Sequence, residues 1–152
     1  MTKKMSLMGV AGKIMVALVL SLAVTEGVSL VTSPMFRITD NYKCLVIAGI
    51  IIAVIGFALN LIAAFGMLAA HKKGTLAMGG LYALFLNPMY TFQLLITLPG
   101  ILLLFNSWIV FLTIISSFIA FKVFVKEEER YLEETYGNKY IAYREKVLFK
   151  FL

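Results

Sequence analysis

Three consecutive glutamates, Glu127-Glu128-Glu129, stand where a long apolar run gives way to charge. A carboxylate at such a boundary can pair with a cationic ligand, because a lower local dielectric strengthens the attraction. On a helix Glu129 shares a face with Glu133 and Glu128 with Leu132, so the three glutamates cannot all enter one pocket. The alternative is a solvated charge run paired with Lys122, Lys126 and Arg130, whose individual pairs are weak. Upstream, Tyr82 and Tyr90 bracket Asn87-Pro88, with Gly79-Gly80 just before them. Tyrosine offers a flat face and a polar tip, and glycines permit close backbone approach. Proline lacks an amide donor and asparagine caps helices, so Asn87-Pro88 reads as a helix start. The alternative there is a flexible interfacial turn with belt aromatics.

Such residues need a scaffold, and the composition limits its kind. Of 152 residues, 61% are hydrophobic and 14% charged, and the mean hydropathy is +0.93. A soluble domain of this length could not hide so much apolar surface, so the chain reads as an integral membrane protein. The net charge of +6 does not point to nucleic acid, because the basic residues form no soluble face. Lys3, Lys4, Lys13, Lys72 and Lys73 instead flank apolar segments. One cysteine, Cys44, excludes an internal disulfide, and with the lone His71 it argues against a zinc site, so no metal is expected. Cys44 reads as a small packing residue and His71 as an interfacial side chain. Phosphate-binding loops, His-Glu-x-x-His pairs and nucleophile elbows do not occur, which excludes an ordinary soluble nucleotide fold.

The expected architecture is all-α: a single membrane domain of about four transmembrane helices with a helical cytosolic tail. A bilayer core takes about 20 apolar residues per helix. The apolar runs place spans at about 8–31, 44–70, 88–105 and 108–125, with the tail at 126–152. The first is basic and then apolar, like a signal peptide, but it is long enough to span and reads as retained. Spans three and four form a hairpin around Asn106-Ser107, with no charge between Pro88 and Lys122. Basic residues before span one and after span two put both termini and the Lys72-Lys73 loop in the cytoplasm. The opposite loop holds Arg37 and Lys43, offset by Asp40, and Trp108 suits the aromatic belt there. From Lys122 onward the tail carries seven basic and six acidic residues. Its pattern is helical to Tyr136; Gly137 ends that helix, and Asn138 can cap a second one carrying Tyr140, Tyr143 and Val147. Asn60 and Gln93, inside spans, should face other helices or a cavity. Gly49, Ala53 and Gly56 should permit close helix packing. Glu26 falls near the outer interface and is given no role.

The Asn-Pro break, the apolar hairpin and the glutamate-led tail occur in a known order. From Gly80 onward the chain resembles the isoprenylcysteine carboxyl methyltransferase and phospholipid methyltransferase superfamily of membrane enzymes. That pattern is Gly-Pro-Tyr-x-x-x-Arg-His-Pro-x-Tyr-x-Gly, an apolar stretch, then Glu-Glu-x-x-Leu and Phe-Gly-x-x-Tyr-x-x-Tyr. Here the first part runs from Gly80 through Tyr82, Pro88 and Tyr90 to Phe92, with Leu86, Asn87 and Phe92 in place of the arginine, histidine and glycine. The second part has Glu128-Glu129, Leu132, Tyr136-Gly137, Tyr140 and Tyr143. The resemblance implies S-adenosylmethionine at the cytosolic membrane face, between the two segments, with Tyr82, Asn87, Pro88, Tyr90, Glu128, Glu129 and Tyr140 as its binding residues. Glu128 or Glu129 would pair with its ammonium, and Tyr90 or Tyr140 would cover its ring or sulfonium. The implied acceptor is lipid-like or a small hydrophobic molecule: a prenylcysteine carboxylate, a phospholipid amine or a thiol, entering sideways between spans. Without the arginine a fixed cation is missing, Asn87 cannot accept a proton, and Phe92 adds bulk. The alternative function is a non-catalytic relative that binds a lipid or partner on the same scaffold. A small transporter subunit is disfavoured by the lack of paired intramembrane charges.

Overall fold

The computed structural model describes residues 10–150; Lys3, Lys4, the first residues of span one and the last two of the tail lie outside them. The described residues are helical, with no strand. Helix α1 is Ala11–Val31, α2 is Tyr42–Lys72, and α3 is the single turn Leu81–Leu84. Next come α4 (Pro88–Phe92), a π-turn (Gln93–Thr97) and α5 (Leu98–Leu103) in one rod. A 3-10 turn at Trp108–Phe111 leads into α6, Leu112–Tyr136, and α7 is Asn138–Lys146.

Two seams hold the bundle. α1 lies along α6, where Ile14 and Leu18 meet Phe121 and Val125, and polar pairs cross the same interface. Thr25 Oγ1 and Thr113 Oγ1 are 2.9 Å apart, and Ser116 bonds Ser21. α2 lies along the α4–α5 rod through small residues. A Cβ on Gly56 would stand 2.5 Å from Thr97 Oγ1, and one on Gly49 would stand 2.8 Å from the Gly100 carbonyl oxygen. Gly49, Ala53 and Gly56 therefore do what their spacing suggests, letting backbones touch. Much of the apolar remainder of α2 faces outward, with Ile50, Val54, Phe57 and Phe65 half or more exposed. That is the surface a lipid-facing helix presents.

Among the described residues three helices are long and apolar enough to cross a membrane: α1, α2 and the continuous Trp108–Tyr136 helix. The third rod, Pro88–Leu103, is shorter, ~24 Å at 1.5 Å per residue. It is not the unbroken helix to residue 105 that its apolar run suggests. Pro99 has no amide donor, and its ring would clash with the carbonyl of Leu95. The backbone answers with a wider turn, in which the Leu98 amide bonds the Gln93 carbonyl five residues back. Cys44 also departs from its reading: it is exposed, on the side of α2 turned away from the Gly49–Gly56 seam. Asn138 opens α7 from inside, and Gly137, at φ 52°, takes the cap position one residue earlier.

The turns divide into two ends. At one, the loop after α1 is joined to the Asn106-Ser107 turn, and Trp108, 53% exposed, meets Phe36 edge-on. At the other gather the start of α1, the end of α2, α3, the start of α4, the charged end of α6, and α7.

Candidate functional site

That second end encloses a cavity of about 480 Å³. α2 contributes Ala64, Met67, Leu68 and His71, a stripe at helical spacing. α6 contributes a matching stripe of Glu128, Tyr131, Leu132 and Tyr136, and α7 adds Tyr140 and Tyr143. Between them runs the 82–90 segment, with Tyr82, Leu86, Asn87, Pro88 and Tyr90 on the wall. Two glycines set the corners: Gly80 at φ 61° starts α3, and Gly137 turns α7 back under the cavity.

The short segment before α4 is held from several sides. The Tyr143 hydroxyl donates to the Tyr82 carbonyl at 2.8 Å. The Leu86 amide donates to the Phe149 carbonyl at 3.0 Å, the Phe149 amide to Leu84 at 2.8 Å, and the Phe85 and Phe149 rings stack at 5.0 Å. From α2, Asn60 Nδ2 donates to the Met89 carbonyl and to Gln93 Oε1, both at 3.1 Å, so the intramembrane amides do face another helix. Asn87 stands at the cap position with Pro88 as first helical residue, yet its side chain makes no capping bond. Instead it lines the cavity, and Thr91 Oγ1 bonds its carbonyl.

Glu128 is the carboxylate on the wall. The Tyr90 hydroxyl donates to its Oε2 at 2.8 Å, and the Tyr90 ring rests against Phe121 at 5.2 Å. Glu127 points elsewhere and pairs with Lys13. Glu129 does not line the cavity, although its charge reaches Tyr140. Burial pushes the Tyr143 hydroxyl up to about 12. Burial, then nearby Tyr143 and Glu128, raises Tyr82, and burial followed by Glu129 raises Tyr140. These phenols stay protonated near neutrality and act as donors.

Six of the seven residues singled out from sequence thus line one cavity: Tyr82, Asn87, Pro88, Tyr90, Glu128 and Tyr140. Glu129 does not, because adjacent helical residues point about 100° apart. Phe92, expected to crowd the site, is 6% exposed and packs edge-on against Phe85 at 5.3 Å, off the cavity wall. Sequence reasoning missed His71, Tyr136, Tyr143 and the α2 face. The signal was present for His71, which follows Ala64 and Met67 at helical intervals. Among the described residues no group of three or more His, Cys, Asp and Glu could hold a metal ion.

Apolar helices long enough to cross a membrane, with a tyrosine-walled cavity at one end, describe an integral membrane protein. The family model for phospholipid methyltransferase matches residues 43–139, from α2 into α7. This chain belongs to that family, within the membrane methyltransferase superfamily it resembles. Neither a curated protein nor a solved structure matches it.

Proposed function

We propose that the chain is an S-adenosylmethionine-dependent methyltransferase that binds its cofactor in the 480 Å³ cavity and serves a lipid-like acceptor. One observation carries this reading: two segments some forty residues apart, 82–90 and 128–143, converge on one cavity, with Tyr90 holding Glu128. The residues present suit the cofactor. The volume lies within the ~300–1,000 Å³ of small-molecule sites, and the wall combines one carboxylate with several aromatic faces. Glu128 would hold the ammonium of the amino-acid end, and Tyr90 and Tyr140 would cover the adenine or the sulfonium. When bound, S-adenosylmethionine supplies an electrophilic methyl group, whose bond to sulfur breaks as the acceptor's lone pair forms the new one.

The protein's task is then orientation and exclusion of water. Leu86 and Asn87 put no basic group on the wall, but His71 does, and it can hold the proton that an amine or thiol acceptor must lose. The acceptor enters between helices from the bilayer. Lys13, Lys72 and Lys73 stand at the cavity end, which supports a cytosolic cavity by the positive-inside rule.

The second reading, a non-catalytic scaffold, draws on Leu86, which is buried on the cavity wall where the family pattern has arginine. Calorimetry on the detergent-purified protein with S-adenosylmethionine and S-adenosylhomocysteine tests the first reading. Micromolar binding, about −8 kcal/mol, is expected. Absence of heat from a folded sample would leave the scaffold reading.

A further inference from the structure

At the end of the bundle opposite the tyrosine cavity lies a smaller cavity of about 210 Å³. Its frame is stitched by long-range hydrogen bonds. Asn106 Nδ2 donates to the Thr39 carbonyl at 2.9 Å, and the Thr39 amide returns a bond to Asn106 Oδ1 at 3.2 Å. The Trp108 amide donates to the Phe36 carbonyl at 2.9 Å and the Ile38 amide to the Asn106 carbonyl at 3.2 Å. Asn106 adopts φ 50°, a conformation asparagine tolerates better than most residues. This is a fixed frame, and it leaves two buried groups unsatisfied.

Glu26 Oε2 and Ser107 Oγ are buried and have no hydrogen-bond partner among the described residues. Ser107 is only 3% exposed. Both line the cavity, and so does Arg37. The Arg37 ion pair runs outward to Asp40, whose side chain is 96% exposed, a geometry that contributes little. Buried polar groups ordinarily find partners, so a carboxylate oxygen and a hydroxyl left over beside a guanidinium call for a ligand carrying both charges. Leu30, on the cavity wall, is 70% exposed, and Val31 and Met35, from the same stretch of chain as the wall residues Leu30, Ser33, Pro34 and Phe36, are 87% and 75% exposed. A free polar zwitterion has no use for that surface, whereas acyl chains do.

We infer that this cavity seats the headgroup of a zwitterionic phospholipid, its ammonium on Glu26 and its phosphate on Arg37 and the Ser107 hydroxyl. Glu26 lies ~22 Å along α1 from Ala11, which borders the large cavity, at 1.5 Å per residue. The lipid held here is therefore not the methyl acceptor. It is a second, resident lipid in the opposite leaflet, and its binding does not depend on the cofactor reading.

Native mass spectrometry of the detergent-purified chain, with dioleoyl phosphatidylethanolamine and dioleoyl phosphatidylglycerol in equal amounts, tests this. The native chain should retain the zwitterionic lipid about tenfold over the one lacking an ammonium, the scale of a charge-assisted bond. Glu26→Gln should bring the ratio close to one, and Arg37→Gln should lower retention of both lipids. Thermal melting of the same samples confirms that each variant is folded. Equal retention by the native chain, or a preference that survives Glu26→Gln in folded protein, would overturn the assignment. So would unchanged retention in Arg37→Gln. Displacement by soluble glycerophosphoethanolamine at matched concentration would overturn the lipid as its occupant.

Discussion

At the tyrosine cavity the walls come from the ends of the long helices α2 and α6 and from the short segments between and after them: α3, the start of α4 and α7. The far cavity is bounded by the end of α1 and two loops that bond each other across nearly seventy residues of sequence. The first site is large and its central carboxylate is already partnered by Tyr90. The second is small, and its carboxylate and hydroxyl are not. A large cavity with satisfied walls can admit and release a ligand while keeping its shape. A small cavity with orphaned polar groups is built to be filled and to remain filled.

The comparison breaks most visibly if the tyrosine cavity loses the strap behind its 82–90 wall. Ending the chain after Lys146 removes Val147, which is 3% exposed, both hydrogen bonds to Phe149 and the Phe85–Phe149 stack. Those contacts hold the 84–86 segment, not the apolar seams. S-adenosylmethionine affinity should fall by roughly 100-fold or more, about 3 kcal/mol. Helical content by circular dichroism should stay near that of the full chain, and lipid retention at the far end should not move. Full affinity in the shortened chain would make the strap ornamental.

The pair Glu128→Gln and Glu129→Gln sharpens the contrast within one helix. Glu128 lines the cavity and Glu129 does not. Loss of a charge-assisted bond of about 1.5–3 kcal/mol predicts a fall of roughly 10- to 150-fold for the first variant. The second should stay within about twofold, as befits a carboxylate directed elsewhere. Calorimetry on both variants decides it, and equal losses would mean that the cavity opens toward both faces of α6.

The same helix shows what the sequence could tell and what it could not. Glu128, Leu132 and Tyr136 recur at helical spacing, so their common face was legible, and so was the impossibility of aiming three consecutive glutamates at one point. The break at Asn87-Pro88 was legible because proline acts locally. Choosing Glu128 over Glu129 required knowing where Tyr90 lies, and that depends on the packing of α4 against α6. His71 carried helical spacing but no local mark of its role, since a histidine beside two lysines reads equally well as interface. Pro99 carried a local mark that hydropathy concealed: an apolar run of sufficient length looks like a continuous helix until its hydrogen bonds are followed one by one. The far cavity left no local trace, because its frame consists of contacts between residues such as Thr39 and Asn106.

Tyr90→Phe gives the smallest expected effect and the finest test of the difference between a partnered and an unpartnered carboxylate. The substitution keeps the ring against Phe121 and deletes only the hydroxyl that donates to Glu128. If Tyr90 acts on the cofactor through Glu128, affinity should drop by about fivefold, ~1 kcal/mol, with little change in melting temperature. The loss should also vanish in a Glu128→Gln background, because two residues acting through one hydrogen bond do not add. An additive loss would place the Tyr90 hydroxyl on the ligand itself. In that case Glu128, which also accepts a hydrogen bond from the Val10 backbone, would hold the ligand independently of Tyr90.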